Sequence, residues 1–206
     1  MIVSYFGQAF IKVQLGDLTL AFNPISKEAD LKLSRFGADI AFVSSEVPEA
    51  NGVESVTYAN KTPFVINGPG EYEREGIFVR GFASEGEGAS QNTIYTLTID
   101  NISICHLGLL KNPNLPTETV EELGSIDLLF VPIGDGPVLS PKEAAKLATS
   151  LEPKMIVPIM IDLDDGTALK NFLKEVNGEV KPIDKLTIKR KDLESKEEVV
   201  VLKADN

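Results

Sequence analysis

The chain has 206 residues, 43 % of them hydrophobic, and a formal net charge of −11, enough for one well-buried soluble domain or at most two small ones. The charge repels phosphate backbones and anionic lipid, which argues against nucleic acid and membrane surfaces as partners. With a single cysteine, Cys105, a single histidine, His106, no membrane-length apolar run and no signal-like start at residues 1–6, the composition predicts a cytoplasmic protein without disulfides and with little imidazole for metal chemistry.

The first half reads as strands. Residues 11–15 and 18–22 alternate around Gly16-Asp17, a two-residue hairpin turn, and Asn23-Pro24 stops the second strand. Ile40-Ala41-Phe42-Val43 is a short apolar run of buried-strand type, followed at once by the polar loop Ser44, Ser45, Glu46, Pro48, Glu49, Asn51, Gly52. Loops leaving such strand ends are where α/β proteins place their chemistry. Strands are predicted at 62–66 and 77–82, with a tight turn at 67–70 between them. Residues 85–90 read as a flexible link, and a second hairpin pairs 93–99 with 102–106 across Asp100-Asn101.

The second half alternates helix and strand. A helix is predicted from Thr117 to Gly124, then a fully apolar strand at 128–131. Ser140-Pro141-Lys142-Glu143 is a capping box that opens a helix running to about Leu151. Met155-Ile156-Val157 is a strand closed by Pro158. Leu169, Phe172, Leu173 and Val176 mark a helical stripe ended by Asn177-Gly178, and short strands follow near 186–188 and 199–202. No linker and no repeat interrupts the pattern, so a single domain over residues 1–206 is expected.

Few side chains here carry chemistry on their own. Alternation places His106 on the face shared by Ile102 and Ile104, a core position. Ser44 and Ser45 lack a G-x-S-x-G elbow and a neighbouring base, so loop capping is the expected role. Asp162-Leu163-Asp164-Asp165-Gly166 fails the calcium-loop pattern and reads better as a helix N-cap at Asp164 or Asp165. Glu46, Glu49, Glu85 and Glu87 are expected to crowd one rim, with weak cation binding there as one option. Gly68 to Tyr72 reads as a structural turn. Lys185, Lys189, Arg190 and Lys191 read as a solvent-facing strand edge.

The segments YFGQAFIK (5–12), INGPGEYE (66–73), VRG (79–81), NTIYTL (92–97), ICHLG (104–108), PIGDGP and PKEAAK (132–146) and DKLTIKRKDL (184–193) resemble a small bacterial branch of the metallo-β-lactamase superfamily, in this order. The resemblance implies an α/β, four-layer αββα sandwich with a zinc site at the strand ends. It also places the family's metal-binding positions on Ser45, Val47, Glu49, Ala50, Gly86, Leu109 and Met160, with Gln8 and Asn23 at two supporting positions. Only Glu49 among these offers a donor comparable in strength to the family's ligands.

The leading expectation is therefore a catalytically inactive, metal-free member of the fold, without a cofactor, serving as a binding or assembly module for a protein partner or a second copy of itself. Two alternatives stand beside it. One is a metal-dependent hydrolase with a non-standard acidic site; the other is a small-molecule binding module in a remodelled pocket.

Overall fold

The computed structural model describes residues 1–134, 136–161, 166–178, 180–193 and 198–205. In chain order the strands are β1 (Ile2–Tyr5), β2 (Ile11–Leu15), β3 (Leu18–Phe22), β4 (Ile40–Val43), β5 (Phe64–Asn67), β6 (Gly70–Arg74), β7 (Ile77–Glu85), β8 (Gln91–Ile99), β9 (Ile102–His106), β10 (Leu128–Pro132), β11 (Met155–Ile159), β12 (Leu186–Thr187) and β13 (Glu198–Val199). The helices are α1 (Thr117–Leu123), α2 (Pro141–Ser150) and α3 (Thr167–Glu175). Two mixed sheets result, one ordered β12-β1-β2-β3-β4-β5 and the other β13-β11-β10-β9-β8-β7-β6.

Local chemistry explains most of these elements. The β2–β3 hairpin pairs Leu15 with Leu18 across Gly16-Asp17, and the β8–β9 hairpin pairs Ile99 with Ile102. Asp100 and Asn101 both take left-handed backbone (φ 53° and 58°), the geometry of a two-residue turn that matches strand twist. At the start of α2 the Glu143 amide donates to the Ser140 hydroxyl and the Ser140 amide donates back to the Glu143 carboxylate. Gly178 N–H donates to Leu173 O at 2.9 Å and closes α3.

The inner faces of both sheets share one apolar core. Val13, Leu20, Phe22, Ile40 and Phe42 meet Val79, Leu97, Ile104, Leu128, Phe130 and Val157 there. Outside the second sheet, α2 and α3 bury Ala144, Leu147, Ala148 and Phe172 against Cys105, Leu129 and Val131. The outer cover of the first sheet is thinner. It consists of loop residues such as Ile25, Ala29 and Ala38, with a 3-10 turn at Val53–Ser55. No helix among the described residues is long and apolar enough to cross a membrane.

Several local expectations are revised. Strand β11 continues through Pro158, which pairs with Val131 on one side only, because β13 accompanies β11 no further than Ile156; an edge position tolerates a missing N–H. Residues 85–90 form no link: β7 runs to Glu85, Gly86 N–H donates to Ser90 O at 2.8 Å, and Glu85 pairs with Gln91. Strands β1 and β6 are additions to the sequence-based reading. The N-cap of α3 is Gly166; Asp162, Leu163, Asp164 and Asp165 lie outside the described residues. Arg190 and Lys191 belong to a 3-10 turn rather than a strand edge, Lys189 lies just before it, and Arg190 pairs with Asp127.

Candidate active site

The ends of β3, β4, β8 and β9 build a polar platform at one mouth of the sandwich. Asn23, just past β3, clasps Ser44, just past β4. Its side-chain amide donates to Ser44 Oγ at 2.8 Å and its carbonyl accepts from Ser44 N–H at 2.9 Å. Thr93 N–H donates to Ser44 O at 2.9 Å. Asn92 donates to Leu107 O at 3.0 Å and accepts from Leu109 N–H at 2.7 Å, which fixes the loop after β9. Gly108 sits where these meet, at φ +64°, and a Cβ there would lie 2.3 Å from Asn92 Oδ1 and 2.7 Å from Ser44 Oγ. Only glycine fits both the backbone and the space.

His106 supports this platform from below. It is fully buried, with its ring stacked on Phe22 at a centroid distance of 5.2 Å and tilted against Phe130. Gly108 N–H donates to Nδ1 at 3.0 Å, so the ring proton belongs on Nε2, which donates to Ala9 O at 3.3 Å. Burial pushes its pKa down to about 3, against a slight opposing pull from Ala9 O. A neutral imidazole with both nitrogens committed has no free site for a metal or a substrate. Cys105, next to it, is equally buried, and burial raises its thiol pKa far above the usual range. Tyr95 ties the two sheets at this end: its hydroxyl donates to Val43 O at 2.6 Å and accepts from Gly68 N–H at 2.9 Å, and burial raises its pKa to about 12.

Above the platform lies a cavity of about 290 Å³. Two carboxylates line it, Glu49 from the loop after β4 and Glu87 from the turn between β7 and β8. Ser45, Ser90 and Gln8 add hydroxyl and amide groups, and Val47, Leu109, Pro137, Val138 and Met160 form an apolar wall. Six of the positions picked out in the sequence therefore face one space: Gln8, Ser45, Val47, Glu49, Leu109 and Met160. Three do not. Asn23 and Ala50 are buried behind it, and Gly86 is backbone packed so tightly that a Cβ would lie 2.6 Å from Ser90 Oγ. The next residue, Glu87, is the one that reaches the cavity. Of the anticipated acidic rim, Glu85 instead accepts from Asn112, and Glu46 lines a neighbouring pocket.

Ser90, Pro137 and Val138 are lining residues that the sequence reading missed. Their signals were the turn-rich segments at 85–90 and 132–137, which carry no donor pattern. Gln8, Asn23 and Met160 all hold left-handed backbone, at φ 51°, 49° and 60°. Outside glycine such backbone costs roughly 1 kcal/mol or more per residue, less for asparagine. Local bonds hold it in place, among them Met160 N–H to Gln8 O at 2.7 Å.

Two face-to-face mixed sheets with helices outside and a cavity at the strand ends define the metallo-β-lactamase fold. The chain belongs to the β-lactamase superfamily, whose domain model matches residues 2–160. It is 27 % identical to a metal-dependent hydrolase of Bacillus licheniformis over 77 % of this chain and 84 % of the relative. It is 22 % identical to a metal-dependent hydrolase of Listeria welshimeri over 87 % of this chain and 96 % of that one. Among solved structures, a Thermotoga maritima protein described as a zinc-dependent hydrolase of the metallo-β-lactamase superfamily superposes with a TM-score of 0.80 at 26 % identity, over 98 % of this chain and 99 % of that one.

These relatives correct the expectation of a cofactor-free protein: they are named metal-dependent hydrolases, so a metal is expected here as well. The donors on hand decide which kind fits. No three of His, Cys, Asp and Glu gather among the described residues, and a tetrahedral site of nitrogen and sulfur ligands does not match Ser45, Val47, Leu109 and Met160. The oxygens of Glu49 and Glu87, with hydroxyl and amide groups beside them, do match a hard divalent cation of the manganese or magnesium type.

Proposed function

We propose that this chain is a metal-dependent hydrolase of the β-lactamase fold with a non-standard acidic site, in which Glu49 and Glu87 hold a hard divalent cation. The observation that supports this reading most directly is the convergence of these two carboxylates on one cavity, at the place where the fold's strand ends meet. When bound, such a cation polarises a carbonyl or phosphoryl oxygen and makes bound water more acidic.

The chain's own residues supply binding and positioning. Val47, Leu109, Val138 and Met160 give the cavity an apolar lining that disfavours water, and Gln8 and Ser90 add polar groups to it. The Asn23–Ser44 and Asn92–Leu109 bonds fix the loops that carry these groups. His106 takes no part in proton transfer, because both ring nitrogens are committed in the core.

The test is hydrolysis of a panel of lactone, ester and phosphodiester probes by chelator-treated protein, with and without Mn²⁺, Mg²⁺ or Zn²⁺. We expect turnover that requires Mn²⁺ or Mg²⁺ and falls at least tenfold in Glu49→Gln and in Glu87→Gln. Metal-independent silence across the panel contradicts the proposal. It would favour the second reading, a small-molecule binding pocket without turnover. The apolar side chains Val47, Leu109 and Met160, at three positions facing the cavity, support that second reading. We also infer a cytoplasmic setting, from the near absence of cysteine.

A further inference from the structure

A second pocket, of about 250 Å³, adjoins the first and is lined by Glu46, Asn67, Gln91 and Thr93 together with Ser44 and Ser45. Ser45 lines both. The residue is 6 % exposed, and its hydroxyl bonds no other group among the described residues, whereas Ser44 beside it is bonded to Asn23. No side-chain oxygen or nitrogen shut off from solvent lacks a partner among the described residues, so this hydroxyl opens onto the pockets, where a bound group or water can complete it. Capping, the role expected for this pair of serines, belongs to Ser44 alone.

The linings of the two pockets differ. The first adds the apolar side chains of Val47, Leu109 and Met160 to its polar groups; the second, apart from Gly68 and Pro69, presents amides, hydroxyls and one carboxylate. No Lys or Arg among the described residues lines either one. The ammonium nearest in sequence, that of Lys111, is held by the carbonyls of Gly136 and Val138. Three carboxylates, Glu46, Glu49 and Glu87, line the two pockets, so the field there is negative. Each volume alone falls just below the range of roughly 300–1,000 Å³ typical of small-molecule sites, and the two together fall inside it.

We propose that the two pockets act as one bipartite site for an uncharged amphipathic ligand. Its apolar end lies against Val47, Leu109 and Met160, its hydroxyl- or amide-bearing end lies against Asn67, Gln91 and Thr93, and a polar atom between them bonds to Ser45 Oγ. This names a substrate class for the cavity that the hydrolase reading uses, and rests on that reading only for the word substrate. In the metal-free protein, anionic molecules, carboxylates and phosphodiesters included, are disfavoured by the same lining.

The test uses isotope-labelled, chelator-treated protein titrated with hexyl β-glucoside and with hexyl sulfate, followed by amide shift mapping. Chelation separates this result from metal uptake, which is measured independently. We expect the glucoside to shift amides in both pockets, around Val47 and Leu109 and around Asn67 and Thr93, and the sulfate to bind at least tenfold more weakly. Ser45→Ala should weaken glucoside binding about five- to tenfold, the equivalent of one neutral hydrogen bond, with the fold checked by its amide spectrum. Shifts confined to one pocket, sulfate binding as well as glucoside, or an unchanged Ser45→Ala affinity would each overturn the proposal. The first and second of these read the wild-type protein alone, so a poorly folded variant cannot rescue it.

Discussion

Lowering the pH from 7 to 5 should cost the fold about 2 kcal/mol through one side chain. His106 is the only histidine, and burial lowers its pKa from 6.5 to about 3 in the folded protein. The sign follows from linkage. In the unfolded chain the imidazole takes up a proton as pH falls through about 6.5, while in the folded chain it stays neutral until about pH 3. Its contribution is therefore complete above pH 6.5 and is lost progressively as pH falls toward 3. At pH 5, about 1.5 units below the unfolded value, the loss is about 2 kcal/mol at roughly 1.4 kcal/mol per unit. With a urea slope of about 2 kcal/mol per molar, the unfolding midpoint should drop by about 1 M. Carboxylates are a separate step: Asp127, Glu54 and Glu143 have folded pKa values below their ordinary ones, so their contribution is present above roughly pH 4.5 and disappears below it. The assay is urea unfolding at pH 7, 6 and 5, beside a proton NMR titration of the single imidazole C2–H. A midpoint unchanged between pH 7 and 5, or an imidazole titrating near 6.5 in the folded protein, would refute the reasoning. His106→Gln should show a flat midpoint over this range.

Three further outcomes follow from the site's supports. Tyr95→Phe removes the hydroxyl that bridges Val43 O and Gly68 N–H, and should cost about 1–3 kcal/mol in urea unfolding. Gly108→Ala forces a Cβ into Asn92 and Ser44 at φ +64°; a loss of at least about 2 kcal/mol is expected by the same measurement. Cys105, buried and with its thiol pKa raised, should resist an aromatic disulfide reagent in the folded protein and react fully once unfolded, read by absorbance.

Local elements were legible wherever the signal that makes them spans only a few residues. Asp100-Asn101 and Gly16-Asp17 are turn pairs whose backbone preference acts over two residues, and Ser140 to Glu143 is complete within one helical turn. Strand β6 escaped because its residues are polar and mostly exposed on an edge, and β1 because its four residues are too few for alternation to register. Pro158 was misjudged for a related reason, since whether a strand accepts proline depends on how far β13 extends beside it.

The site divides in the same way. Motif position was enough to bring Gln8, Ser45, Val47, Glu49, Leu109 and Met160 to one cavity. It did not distinguish Gly86 from Glu87, which requires the path of a turn, nor Ser44 from Ser45, which requires knowing that Asn23 bonds to the first and leaves the second bare. The lack of histidine at Ser45, Val47, Ala50 and Met160 suggested a protein without a metal; the naming of its relatives and the two carboxylates lining the cavity favour a change of donor type.

The most direct test of that account is anomalous diffraction from crystals soaked in Mn²⁺. It predicts a single strong peak in the cavity within bonding reach of both Glu49 and Glu87, absent from Glu49→Gln crystals. A well-ordered cavity with no peak at saturating Mn²⁺, or a peak bound by neither carboxylate, would contradict it.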